Sequence, residues 1–323
     1  MQVQNGLNSF PALEKQQEFT KQKLEKIRSD LQFQLGKYSE RLTIVATGSY
    51  GRLEASEESD LDLFVIYDDD FSIDSLDISE KLKETMGKHI NKPPGDTGTF
   101  GPDAHVSIGE LTSNIGGNND SNTNFTRRIL FLLEGTYLLN KQKFDEYKDT
   151  LLRKYIKDDI PNHQVNRFFL NDIIRYYRTI ATDFEYKVSI NGKSWGLRNI
   201  KLRFSRKLLY FSGIIVAAET CYQTYAEKLR ITKELLELCP IDRLIKLSST
   251  WPIEILRTYN IFSEEICKKE IRNSLERVEK EDRDRNEDFA RLKNLGQHFS
   301  WALSLWLRNK YDVNHPIHHA LLF

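Results

Sequence analysis

The sequence predicts an α+β chain: a small mixed sheet with flanking helices over about residues 1–140, then an α-helical domain over 141–323. Three observations carry that reading. Chain breakers crowd the first third, where three of the eight prolines and six of the sixteen glycines lie between Pro93 and Gly117. Two short β-rich runs, 42–46 and 60–67, precede them. From Asp120 to Phe323 breakers are sparse and apolar residues recur at helical spacing, so that stretch reads as helix after helix.

Taken in order, Pro11 to Lys37 is a predicted helix, with Leu13, Phe19, Leu24, Ile27, Leu31 and Leu35 along one side. A strand follows at Leu42–Ala46 and ends at Thr47-Gly48-Ser49. A second β-rich run spans Asp60 to Tyr67 and closes on the acidic turn Asp68-Asp69-Asp70. Ser75 to Ile90 reads as helix, Lys92 to Pro102 as a loop and Ala104–Ile108 as a third strand. Beyond the polar stretch Gly116–Asn124, helices are expected at Thr126–Leu139, Lys141–Ile156, Asn166–Tyr186 and Leu197–Tyr225. A long charged helix is expected from about Ser263 to Tyr311. The mixed-charge run Ser274–Arg291 reads as its solvated face. There is no internal repeat.

Composition narrows the function classes. Lys+Arg and Asp+Glu both total 47 in 323 residues, so the net charge is zero, which argues against a protein that coats a polyanion. A mean hydropathy of −0.54 with 39% hydrophobic residues suits a soluble globular chain. The longest apolar stretches, Ile129–Leu133 and Ile214–Ala218, fall far short of the roughly 18 residues of a membrane span, so no membrane association is expected. No signal peptide is visible in MQVQNGLNSFPALEKQQ, and Cys221, Cys239 and Cys267 form no CxxC pair. The reading is cytoplasmic, with free thiols.

The chemistry concentrates in Gly48-Ser49-Tyr50-Gly51-Arg52 and Ser59-Asp60-Leu61-Asp62-Leu63. On an extended segment alternate side chains share a face. Asp60 and Asp62 therefore point the same way, with Cα atoms about 6.6 Å apart, while Leu61 and Leu63 point into a core. Two adjacent carboxylates repel unless a cation sits between them, and magnesium prefers oxygen ligands plus substrate phosphates. Glycine ahead of the acids lets backbone N–H groups approach a phosphate, and the Ser49 hydroxyl adds a donor. Phosphate cradle and metal carboxylates in one hairpin-sized unit are the minimum equipment for moving a nucleotidyl group by a two-metal mechanism.

The run GSYGRLEASEESDLDL resembles the signature of the polymerase-β-type nucleotidyltransferase superfamily: a Gly-Ser pair, a spacer of about ten residues, then two acids separated by one apolar residue. Within that superfamily it looks most like the N-terminal domain of bacterial PII uridylyltransferases and related nucleotidyltransferase-like proteins. Tyr50, Gly51, Arg52, Glu54, Ser59, Asp60 and Asp62 match without a gap, and Ser49 stands where those proteins carry a second Gly. A fainter likeness lies at Trp195-Gly196-Leu197-Arg198-Asn199-Ile200, similar to their Gly-Leu-Arg-Asp-Ile. The regulatory and phosphohydrolase domains of PII uridylyltransferases have no counterpart in this chain. The resemblance implies an NTP substrate, Mg2+ at a two-metal site and a third carboxylate on a later strand. Asp103 and Glu110 are the candidates, with Asp103 favoured for its Gly/Pro flank. The expected catalytic and metal set is then Asp60, Asp62 and Asp103, with Gly48, Ser49, Arg52 and Ser59 on the nucleotide.

A basic stretch adds to this. Lys193, Arg198, Lys201, Arg203, Arg206 and Lys207 occur with no acid among them, and Arg203, Arg206 and Lys207 share a helical face. A triphosphate tail is the economical partner for such a concentration, which assigns Arg198, Lys201 and Arg206 to the nucleotide, bound in a cleft between the two domains. The predicted reaction is attack of an acceptor hydroxyl on the α-phosphorus with release of pyrophosphate. A protein side chain is the favoured acceptor. A small molecule or second nucleotide, as in cyclic-dinucleotide and oligonucleotide synthases, is the alternative, and a catalytically silent NTP-sensing module is a third reading. Zero net charge argues against a nucleic-acid acceptor. His105 reads as a half-buried strand histidine, and adjacent His318 and His319 diverge on any regular element.

Overall fold

A computed structural model describes residues 7–92, 98–159, 161–162, 164–189, 194–250, 252–281, 283 and 285–322. The chain divides into two compact units, Gln16–Asp159 and Met1–Lys15 with Ile160–Phe323. A small mixed sheet with flanking helices and a helical C-terminal region are both present, as the sequence predicts.

The sheet unit takes most of α1 (Pro11–Leu35), then β1 (Leu42–Ala46), a one-turn helix α2 (Gly48–Gly51), β2 (Leu63–Tyr67) and α3 (Ser75–His89). It continues through β3 (His105–Ser107), α4 (Ile108–Ser113), α5 (Asn122–Glu134), β4 (Thr136–Leu139) and α6 (Lys141–Tyr155). The strand order is β3-β2-β1-β4, with β1 antiparallel to both neighbours and β2 parallel to β3. On one face Leu24, Ile27, Leu31 and Leu35 of α1 and Ile78, Leu82 and Met86 of α3 pack against Leu42, Ile44, Leu63 and Val65. Every β1 side chain is buried, because helices cover both faces of the sheet, which explains its unbroken apolar run.

Three expectations need correction. The predicted helix over Thr126–Leu139 ends at Glu134. Gly135 turns extended (φ −61°, ψ 133°), and Thr-Tyr-Leu-Leu pairs with the free edge of β1 as a fourth strand. The β2 ladder begins at Leu63, so Asp60 and Asp62 lie in the extended lead-in instead of the strand. The sheet unit also runs past residue 140, because α6 is tied to it: Tyr147 Oη donates to the Arg41 carbonyl at 3.2 Å and to Asp68 Oδ1 at 2.7 Å.

The helical unit holds α7 (Arg167–Ser189), α8 (Trp195–Lys201), a π-helical turn (Leu202–Arg206) and α9 (Lys207–Glu219). It continues with α10 (Tyr225–Leu236), α11 (Pro240–Leu247), α12 (Ile253–Cys267), α13 (Lys269–Glu276), α14 (Glu287–Lys310) and α15 (Pro316–Ala320). Its core stacks Phe204 on Phe262 at 4.3 Å, beside Tyr259 and Phe299. The single charged helix expected from Ser263 to Tyr311 is three helices. Lys268 is extended, and after α13 Val278 folds in so that its carbonyl takes the Gly196 N–H at 3.1 Å. Cys221 and Cys239 are buried free thiols and Cys267 is half-buried. Among the described residues no helix is long and apolar enough to cross a membrane.

Candidate active site

Antiparallel pairing of β1 with β2 sets Ala46 opposite Leu63, so the end of one strand meets the start of the next. One rung further the Thr47 N–H donates to the Asp62 carbonyl at 2.8 Å. The chain then turns sharply into α2 through Gly48, whose φ of +67° lies in the left-handed region that only glycine adopts cheaply. Glycine is required here for a second reason. A Cβ at position 48 would stand 2.6 Å from Asp62 Oδ2, so the turn lies directly against that carboxylate.

The alternation expected of the acidic segment holds. Leu61 and Leu63 are sealed in the core, while Asp60 and Asp62 are half-buried and reach solvent. Ser49 is half-buried, and among the described residues the Ser49 and Tyr50 amides meet no acceptor, the usual state of donors opening a helical turn. Tyr50 is buried beneath them. Burial first, and then the negative charges of Glu57 and Asp60, push its phenol up to about 12.

A residue that the sequence reading did not single out braces this turn. Glu134, at the C-terminal end of α5 and 3% exposed, accepts the Gly48 N–H at 2.7 Å and pairs with Arg52 Nη1 at 2.6 Å. Arg52 Nε pairs with Glu54 at 2.9 Å. The Arg-x-Glu run is thus a buried ion pair completed by a third partner from a distant helix. Arg52, expected on the nucleotide, is placed with these two carboxylates, and Gly48, also expected there, has its amide taken by Glu134. Between them Leu53 adopts φ +60°, a conformation costing about 1–2 kcal/mol for a residue with a Cβ. It brings the Glu54 N–H to the Ser49 carbonyl at 2.8 Å. One signal for Glu134 was present in the sequence: a lone carboxylate closing the apolar run Ile129–Leu133 needs a cation if buried.

Ser59 is also engaged locally, its Oγ accepting the Ser56 N–H at 3.0 Å. Asp103 goes elsewhere. β2 and β3 pair with Val65 opposite His105, so odd-numbered residues of both share a face. Asp103, at the entry to β3, therefore falls on the α3 side, where Lys83 meets it at 3.0 Å and holds its carboxyl below the usual range. Asp62 shares parity with Phe64, whose ring lies under Arg127 of α5. Glu110 is exposed and accepts from Asn124 at 2.8 Å. Among the described residues no three His, Cys, Asp or Glu side chains are grouped as a metal-ligand set, so Asp103 is not gathered with Asp60 and Asp62. Those two offer hard oxygen donors with solvent access. That donor set suits magnesium, which takes one or two carboxylates and completes its shell with water and phosphate oxygens.

The basic stretch lies in the helical unit. Arg198 and Lys201 are half-buried on α8, and Arg206 donates to Tyr176 Oη at 3.0 Å. Lys193 lies outside the described residues.

No curated protein matches the chain. Residues 24–94 match the family model for the nucleotidyltransferase domain, of polymerase-β type, and that stretch carries both the Gly48-Ser49 turn and the Asp60–Asp62 pair.

Proposed function

We propose that the chain transfers an NMP from an NTP to a hydroxyl acceptor, using magnesium held by Asp60 and Asp62. One observation carries this reading: Gly48 is pressed against Asp62 where β1 meets β2, inside the segment matched to the nucleotidyltransferase domain. In this reading the Ser49 hydroxyl and the Ser49 and Tyr50 amides receive phosphate oxygens, while Asp60 and Asp62 seat the cation. Magnesium, when bound, neutralises phosphate charge and lowers the pKa of the acceptor hydroxyl. The acceptor oxygen bonds to the α-phosphorus, the bond to the bridging oxygen breaks, pyrophosphate leaves and the acceptor proton passes to water. Glu134 and Arg52 act as positioning residues by holding Gly48 in place. The likeness of Tyr50-Gly51-Arg52-x-Glu54 to PII uridylyltransferases supports a protein side chain as acceptor.

The test incubates the full chain with each labelled NTP and magnesium, alone and with cell lysate. A labelled protein band supports protein modification, whereas a small labelled product formed without lysate supports a nucleotide synthase. Asp60→Asn combined with Asp62→Asn is expected to abolish either product, and undiminished turnover in that double variant refutes the proposal. A second reading, NTP binding without turnover, is favoured by the engagement of Asp103 with Lys83; magnesium-dependent NTP binding with no pyrophosphate supports it.

A further inference from the structure

We propose that the helical unit carries its own binding site for a phosphate-bearing ligand, built by Arg203 on the π-helical turn and Lys207 at the start of α9. Both are half-buried, and among the described residues neither meets a carboxylate. Arg203 Nε donates to Asn199 Oδ1 at 2.7 Å, and Lys207 Nζ donates to Ser300 Oγ. Burial pushes both groups down, and the charge of Arg203 adds to the effect on Lys207. Two like charges held together and partly out of water are costly unless an anion joins them. Phosphate oxygens, which accept several charge-assisted hydrogen bonds at once, reverse that cost.

Several other buried cations among the described residues meet a carboxylate or a set of backbone carbonyls. Arg128 has Asp120 at 2.9 Å, Arg52 has two glutamates, and Lys228 donates to the carbonyls of Gln164, Thr220 and Cys221. The Arg203–Lys207 pair differs in that two neighbouring cations each meet a single neutral side-chain oxygen among the described residues, and the packing around it holds it. A Cβ at Gly296 would lie 3.2 Å from Arg203 Cβ, so glycine lets α14 approach the π turn closely. One turn later Ser300 donates to the Gly296 carbonyl at 2.7 Å and receives Lys207. Tyr177 and Tyr210 stack at 4.4 Å with 13° between their planes, and Tyr177 lies near Arg203. A π turn places an irregularity in a helix where ligands are often met. All these residues lie within the helical unit, so the site does not depend on Asp60 and Asp62.

The probes are sodium tripolyphosphate, ATP without magnesium, and inorganic phosphate, titrated into the full chain by calorimetry. At least one is expected to bind wild type and the Asp60→Asn/Asp62→Asn double variant alike, with affinity reduced about tenfold or more in Arg203→Gln and in Lys207→Gln. Tighter binding of tripolyphosphate and ATP assigns the site to a nucleotide tail, and tighter binding of inorganic phosphate assigns it to a singly phosphorylated ligand. Arg203→Lys and Lys207→Arg should keep most of the affinity. If the Gln variants do not fold, acylation of Lys207 in wild type, followed by mass spectrometry, decides: the bound probe should slow it several-fold. No binding of any probe to wild type, equal binding to the charge-removing variants, or no protection of Lys207 overturns the proposal.

Discussion

Replacing Gly48 with Ala separates two effects that coincide at that position. The first is backbone strain, about 1–2 kcal/mol for a Cβ in the left-handed region. The second is displacement. The new methyl would stand 2.6 Å from Asp62 Oδ2, whereas ordinary contact begins at 3.4 Å, so the oxygen must retreat by the difference, 3.4 − 2.6 = 0.8 Å. A carboxylate at the half-exposed end of a side chain swings away cheaply, so this second effect adds little to the stability loss. It falls instead on the site, where a shift of about 1 Å costs roughly a hundredfold in rate. Gly98 supplies the control, because its φ is +66° and a Cβ there would meet nothing within 4 Å. Gly98→Ala and Gly48→Ala are therefore expected to lose similar stability in urea titrations. Only Gly48→Ala should lose magnesium-dependent NTP binding and pyrophosphate release, by about two orders of magnitude. Equal activity in the two variants would refute the placement of Asp62 as a working ligand beside the turn.

Two further outcomes test the supports of the site. Glu134→Ala removes a carboxylate partner of a buried guanidinium and the acceptor of the Gly48 amide, so it should cost about 2–4 kcal/mol in urea unfolding. Glu134→Gln keeps an acceptor for the amide and should cost less; identical losses would show that the charge facing Arg52 matters there and the acceptor for the Gly48 amide does not. At Asp68, burial pushes the carboxyl up, but donation from Tyr147, Lys143 and Arg41 outweighs it and the net shift is downward. The unfolded chain then binds the proton first as pH falls through about 4, so stability from Asp68 is present above that range and drains away below it. The advantage of wild type over Asp68→Asn, measured by urea midpoint, should shrink between pH 6 and pH 3; an advantage that grows as pH falls contradicts that sign.

Much of the sheet unit was legible because its signals are local. Leu42–Ala46 is a strand at the boundaries its residues suggest, and helical spacing in 11–35 identifies the face that packs on the sheet. The acidic pair alternates with buried leucines even outside the ladder, since extended backbone imposes that parity whether or not hydrogen bonds complete a strand. Thr136–Leu139 escaped notice because it continues an apolar run that reads equally well as helix. Only the open edge of β1 gives it a partner. The long charged stretch near the C-terminus broke for a similar reason: Val278 is buried by folding back onto Gly196, a contact that no periodicity announces.

By itself, then, the sequence determined the α+β class, the glycine turn and the paired acids, because each rests on residue type and spacing within a few positions. The tertiary structure alone decided that Glu134 braces Gly48, that Arg52 is turned inward, and that Asp103 lies on the α3 side with Lys83. Those outcomes depend on which strands become neighbours and in what register, and register is settled by burial across the whole sheet.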